Sequence, residues 1–126
     1  MRYLMLHCID ETAAFPPADD PGVPGSAAAQ AMDAWVSEME GTGVKKYGGH
    51  LRPAGEAVTV RVRGGEVLVS DGPFAETKEQ IAGFDLLECA GLDAALAVAA
   101  RHPTARIGTF ELRPLSAGRS PRPAAG

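Results

Sequence analysis

The sequence predicts an α+β fold: a ferredoxin-like βαββαβ order with an inserted β-hairpin. Three observations predict it. Short segments alternate like strands, two longer segments repeat apolar residues at helical spacing, and a Gly-Gly pair joins two Val-rich runs that stand outside this order.

Residues 2–8 read as the first strand. Leu4, Leu6 and Cys8 alternate with Tyr3, Met5 and His7, so both parities are largely apolar and both faces call for cover. Helices cover one face of so small a sheet, and a second subunit is the simplest cover for the other, which predicts a homodimer. Residues 10–25 hold Pro16, Pro17, Pro21 and Pro24 and read as a long loop or lid. Residues 27–40 read as a helix with Ser26 as N-cap, Gly41 as the residue past its end, and Met32, Trp35, Val36 and Met39 on one face. Core packing accounts for that Met/Trp stripe more simply than a cofactor does.

A strand is predicted at 44–51. Val58, Val60 and Val62 then lead through Gly64-Gly65 to Val67, Leu68 and Val69, a hairpin in which two glycines supply the positive φ of a type I′ turn. Asp71-Gly72-Pro73 starts a turn, and Thr77 with Gln80 has capping-box spacing, predicting a short helical turn. Residues 81–89 form a strand with Ile81, Gly83, Asp85, Leu87 and Cys89 on one face. Residues 92–101 form an Ala-rich helix ended by Pro103, and residues 107–113 form the last strand. One domain over residues 1–115 results, with a disordered tail at 116–126.

Composition narrows the function. The chain has 126 residues and net charge -4, with no basic stripe in the folded part, so the footprint of a nucleic-acid binder is missing. No apolar run reaches the roughly 18 residues of a membrane span, and the apolar start lacks a cleavage site, so the expected location is the cytoplasm. Aromatic residues are only 6%, leaving a thin core of the kind that oligomerisation supports. Cys8 and Cys89 fall at opposite ends of neighbouring antiparallel strands and are expected to remain free thiols.

The densest polar cluster on a predicted ordered loop is Asp71, Glu76, Lys78 and Glu79. A carboxylate beside an ammonium suits acid–base work or a polar ligand, while an Asx turn and a capped helical turn explain the same residues structurally. Phe74 is expected to anchor this loop to the sheet. Asp85 shares a strand face with apolar residues, so it is expected to line a cavity or meet a basic group. His7 and Cys8 point to opposite faces of one strand and do not share an ion easily, so no metal site is assigned. His102 sits at a helix end, where a dipole contact suffices to explain it. No phosphate loop, nucleophile elbow or cofactor motif is present in the sequence, and no cofactor is assigned.

The run Val69-Ser70-Asp71-Gly72-Pro73-Phe74-Ala75-Glu76-Thr77-Lys78-Glu79-Gln80 closely resembles the signature of the DGPF branch of the YCII-related family. The resemblance extends from about residue 1 to residue 115 through Gly48-Gly49, Gly83-Phe84, Leu92-Asp93-Ala94-Ala95-Leu96 and Glu111-Leu112-Arg113-Pro114. It implies a dimeric α+β barrel, in which two ferredoxin-like sheets face each other, and gene neighbourhoods shared with extracytoplasmic-function sigma factors. Other members carry a His–Asp dyad with the His on the first helix. Residues 27–40 hold no His, and Asp85 stands where the family usually has an aromatic residue. Asp71 is then the candidate catalytic acid, His50 the candidate histidine from another direction, and Phe74, Glu76, Lys78, Glu79 and Asp85 the candidate ligand contacts. Three functions stay open: a small-molecule enzyme or binding protein with its pocket near the DGPF loop, an accessory protein of a sigma factor, and a scaffold without catalysis.

Overall fold

A computed structural model describes residues 1–116. Apart from Ser116, the tail expected at 116–126 lies outside the described residues. The chain runs β1 (Arg2–Ile9), α1 (Ala27–Gly41), β2 (Lys45–His50), β3 (Val58–Arg63), β4 (Glu66–Asp71), β5 (Gln80–Glu88), α2 (Leu92–Ala100) and β6 (Thr109–Pro114). The main sheet has the order β2-β5-β1-β6 with every neighbour antiparallel, as the split βαββαβ order requires. Strands β3 and β4 form a separate two-stranded sheet.

Both helices pack on one face of the main sheet. Trp35 and Met39 of α1 and Ala95 and Ala99 of α2 meet Tyr3, Met5 and Leu87 in one core. Met5 and Leu87 are completely buried, worth about 1.5–3 kcal/mol each. The small residues Ala95 and Ala99, four apart, let α2 lie close to the strands. Arg101 donates to Glu38 at 2.8 Å and ties the two helix ends together.

Helix α1 begins where expected, with the Ser26 hydroxyl accepting from the Ala29 N–H at 2.9 Å. Its end differs from the expectation at Gly41, which is the last helical residue. Gly43, at φ +77, takes the left-handed position instead. The Gly43 N–H donates to Glu40 O and the Val44 N–H to Met39 O, a Schellman closure that places Val44 against the core.

The other sheet face is less covered. Leu4 and Leu6 of β1 and Phe84 and Leu86 of β5 point away from the helices and are half-buried. The hairpin is more open still. Val58, Val60, Val62, Val67 and Val69 share one of its faces, all exposed. Its Gly64-Gly65 turn has the two positive φ angles expected, 56° and 79°. Cys8 lies across from Ile81, whereas the Cys89 N–H bonds to Met1 O at the far end of the sheet, and both thiols are free.

Two local expectations are corrected. The helical turn at Thr77–Gln80 does not form: the Thr77 hydroxyl donates to Glu79 O, and Gln80 already begins β5. Phe74 does not anchor its loop, being 81% exposed. The turn is held instead by the Gly72 N–H on Ala57 O at 2.6 Å and by the Thr59 hydroxyl on Gly72 O at 2.8 Å. Among the described residues no helix is long and apolar enough to cross a membrane.

Candidate functional site

The central strands β1 and β5 carry polar residues on the face that their neighbours use for core. Met5 pairs with Asp85 and His7 with Gly83, so His7 and Asp85 are diagonal neighbours beneath the helices. The His7 Nε2–H donates to Asp85 Oδ2 at 2.7 Å, and Lys45 Nζ from β2 lies 3.6 Å from Oδ1. Their side chains are 7%, 5% and 15% exposed. A buried carboxylate is expensive unless paired, and here an imidazole and an ammonium pair it.

Glycines make the room. A Cβ on Gly48 would stand 2.1 Å from Asp85 Oδ1 and 2.7 Å from Phe84 O. A Cβ on Gly83 would stand 3.1 Å from His7 Nδ1 and 3.7 Å from His50 Nδ1. Gly83 thus leaves a gap flanked by two histidine nitrogens. With its Nε2 committed to an ionised carboxylate, neutral His7 offers Nδ1 as a base.

His102 completes the cluster. It caps the 3-10 turn Pro103–Arg106, its Nδ1 accepting from the Thr104 N–H at 3.1 Å. The neutral ring therefore carries its proton on Nε2. It is 2% exposed, and burial first, then the neighbouring His7, pushes its pKa down from 6.5 to about 4. The His102 ring meets Trp35, His7 and Phe110 edge-on at 4.6–4.8 Å, and His7 stacks on Phe110 at 4.5 Å. Trp35 is itself fixed by its indole N–H on Val98 O.

These groups open on a cavity of about 140 Å³, bounded by His7, Lys45, His50, Asp85 and His102 and closed on its apolar side by Trp35 with its α1 neighbours. A second cavity of about 250 Å³, under the loop that follows β1, shares His7 and His50 with the first. The ligating atoms of His7, Asp85 and His102 lie within 4.8 Å of one another, close enough to suggest a metal. The donor set fits one poorly. The Thr104 N–H occupies one nitrogen of His102 and leaves the other protonated, and the Lys45 ammonium already neutralises Asp85.

Of the residues singled out from sequence, Asp85 and His50 come together at this site. Asp71 is exposed at the end of β4 and borders neither cavity that His50 lines. Glu76 and Lys78 are exposed, and Glu79 accepts from the Thr109 hydroxyl at 3.1 Å, tying the DGPF segment to the start of β6. Phe74 and Glu79 border a separate, largely apolar cavity of about 330 Å³ with Leu51 and Ile81. His7, Lys45 and His102 were not foreseen as site residues. The usable signal was parity: His7 and Asp85 lie on the core-facing rows of two strands that the βαββαβ order makes neighbours.

Comparison with known proteins agrees with the resemblance of the sequence to the YCII-related family. A family model for the YCII-related domain matches residues 1–117. An uncharacterized protein of Rhizobium meliloti (strain 1021) is 50% identical over 68 residues, which cover 52% of this chain and 55% of the relative. The chain thus spans about half the length of the curated relative it matches.

Proposed function

The chain belongs to the YCII-related family, and on that footing we propose that it is an enzyme of its DGPF branch, performing general acid–base chemistry on a small molecule in the His7–Asp85 cavity. One observation carries the reading: the 2.7 Å hydrogen bond from His7 Nε2 to Asp85, which turns Nδ1 toward the gap over Gly83. A carboxylate on one imidazole nitrogen fixes the ring and stabilises the imidazolium formed when the other takes a proton. A base so placed contributes about 10²–10⁴-fold to a rate. His50, across the same gap, is the second proton carrier. A metabolite screen by thermal shift, followed by turnover assays on the hits, tests this. Asp85→Asn should keep the shape of the pair and lose most turnover; turnover equal to wild type refutes the assignment.

The working unit in this reading is a homodimer. The half-exposed row of Leu4, Leu6, Phe84 and Leu86 and the open valine face of the hairpin support it, because an isolated two-stranded hairpin is marginal in water. A second copy of the chain, sheet against sheet, would cover the first row. Light scattering at micromolar concentration should give twice the chain mass, and Leu6→Lys should halve it. A folded wild-type monomer under those conditions removes the dimer.

A further inference from the structure

We propose that the cavity takes a carbonyl compound with an ionisable C–H beside the carbonyl, and that His102 Nε2–H and the Lys45 ammonium hold the oxygen while His7 Nδ1 removes that proton. This rests on the acid–base reading above and adds the substrate class to it.

The first support is a donor of fixed tautomer on the cavity wall. Thr104 fixes the His102 tautomer, so Nε2 carries hydrogen. The His102 ring lines the cavity, so this N–H is a donor available to an acceptor bound there. The second support is the character of the donor. Both flanks of His102 are aromatic, and the low basicity of the ring keeps it neutral at ordinary pH. A neutral N–H with a fixed direction suits an oxygen that gains charge during the reaction. The third support is Lys45, whose ammonium shares the cavity wall and is already held beside Asp85.

The step balances without a co-reactant. The C–H bond breaks and its proton goes to His7 Nδ1. Its electron pair forms the carbon–carbon double bond, and the carbonyl π pair moves to the oxygen, giving an enolate between His102 and Lys45. Return of that proton from His7 Nδ1 to a different atom of the substrate completes an isomerisation and restores the neutral ring.

The test uses 4-nitrophenol, whose phenolate imitates the planar enolate oxygen and announces itself by absorbance. The wild-type protein should bind the phenolate at least about tenfold more tightly than the neutral phenol, the worth of one hydrogen bond to a charged group. His102→Phe, which keeps an aromatic ring and removes the donor, should abolish that preference, whereas His102→Gln, which keeps an N–H, should retain part of it. Lys45→Met, at a partly open position, gives a second reading should the His102 variants fail to fold, and it too should weaken phenolate binding. No phenolate preference in the wild type, or the same preference in His102→Phe and Lys45→Met, overturns the proposal. His7→Gln should still bind the phenolate. A protein that keeps the phenolate site while its turnover ignores His7 loses His7 as the base, and with it the acid–base reading, but keeps His102 and Lys45 as the groups that hold the oxygen.

Discussion

Acid should destabilise this protein through His102 before its carboxylates are reached. The perturbation is a fall from pH 7 to pH 4.5. Unfolded, His102 titrates near its ordinary 6.5; folded, it titrates near 4, chiefly because burial disfavours the charged ring, with His7 adding to this, Asp85 opposing it and His50 adding a smaller part. Between those values the unfolded chain binds the extra proton, so stability rises with pH there. The contribution is fully present above about 6.5 and is lost as pH falls toward 4. At about 1.4 kcal/mol per pH unit, the loss by pH 4.5 is about 2–3 kcal/mol, a large fraction of a typical 5–15 kcal/mol stability. For a domain of this size it lowers Tm by on the order of 10 °C. Asp10, Glu38 and Glu88 are held below their ordinary carboxylate values, by Thr12, Arg101 and the N-terminal ammonium respectively, so they lose their partners only below this window. Urea unfolding of wild type and His102→Asn at both pH values measures the effect. Asn caps the Thr104 N–H without titrating. The wild type should lose about 2–3 kcal/mol more than the variant between the two pH values; parallel losses would show that His102 is not buried neutral.

Three further outcomes follow from the same geometry. Gly48→Ala drives a methyl into Asp85 Oδ1 and Phe84 O, one held by His7 and Lys45 and the other backbone; it should cost about 1–3 kcal/mol in urea unfolding and shift the His7 ring signals in NMR, and wild-type stability with unmoved signals counts against the tight cradle. Asp85→Leu leaves Lys45 without its buried partner and His7 without its orienting acceptor, so it should lower stability by about 3 kcal/mol and abolish ligand-induced stabilisation in the thermal-shift screen; a variant that matches wild type in both makes the residue incidental. Asp71→Asn separates a turn role from a site role: the turn hangs on backbone bonds at Gly72, so Tm should hold, and loss of ligand-induced stabilisation would assign Asp71 to the site.

The fold was readable because each element carries its own period. The alternation of Val58, Val60 and Val62 against Val67 and Val69 specified the hairpin, and Met32, Trp35, Val36 and Met39 specified one helical face. The errors fell where two local signals competed. Gly41 and Gly43 both suit a helix end, and only the bond from Val44 to Met39, made once Val44 reaches the core, decides for Gly43. Thr77 and Gln80 have capping-box spacing, yet Gln80 is drawn into β5, where it pairs with Ile9. Sheet pairing outweighed a local preference worth about 1 kcal/mol.

The site was half readable for a related reason. Asp85 betrayed itself as a charge on an apolar row, a signal within one strand. His7 offered no such contrast, because histidine is at home on either face, and its sequence neighbour Cys8 points to the opposite face of the strand. The productive comparison runs across strands. In the βαββαβ order β1 and β5 are neighbours, β5 and β2 are neighbours, and the core-facing rows of the three bring His7, Asp85 and Lys45 together. Gly48 and Gly83 mark the same place independently. Glycine weakens a strand, and it persists inside one where another group must come close. Here the groups are a carboxylate oxygen and two imidazoles. His102 lies beyond this logic, since its neutrality depends on Trp35, Phe110 and His7 closing round it, and on a bond from Thr104 that exists only once the chain turns there. A strand glycine across from a strand histidine, beside a carboxylate on a core row, is thus a pattern that sequence and topology reveal together and neither reveals alone.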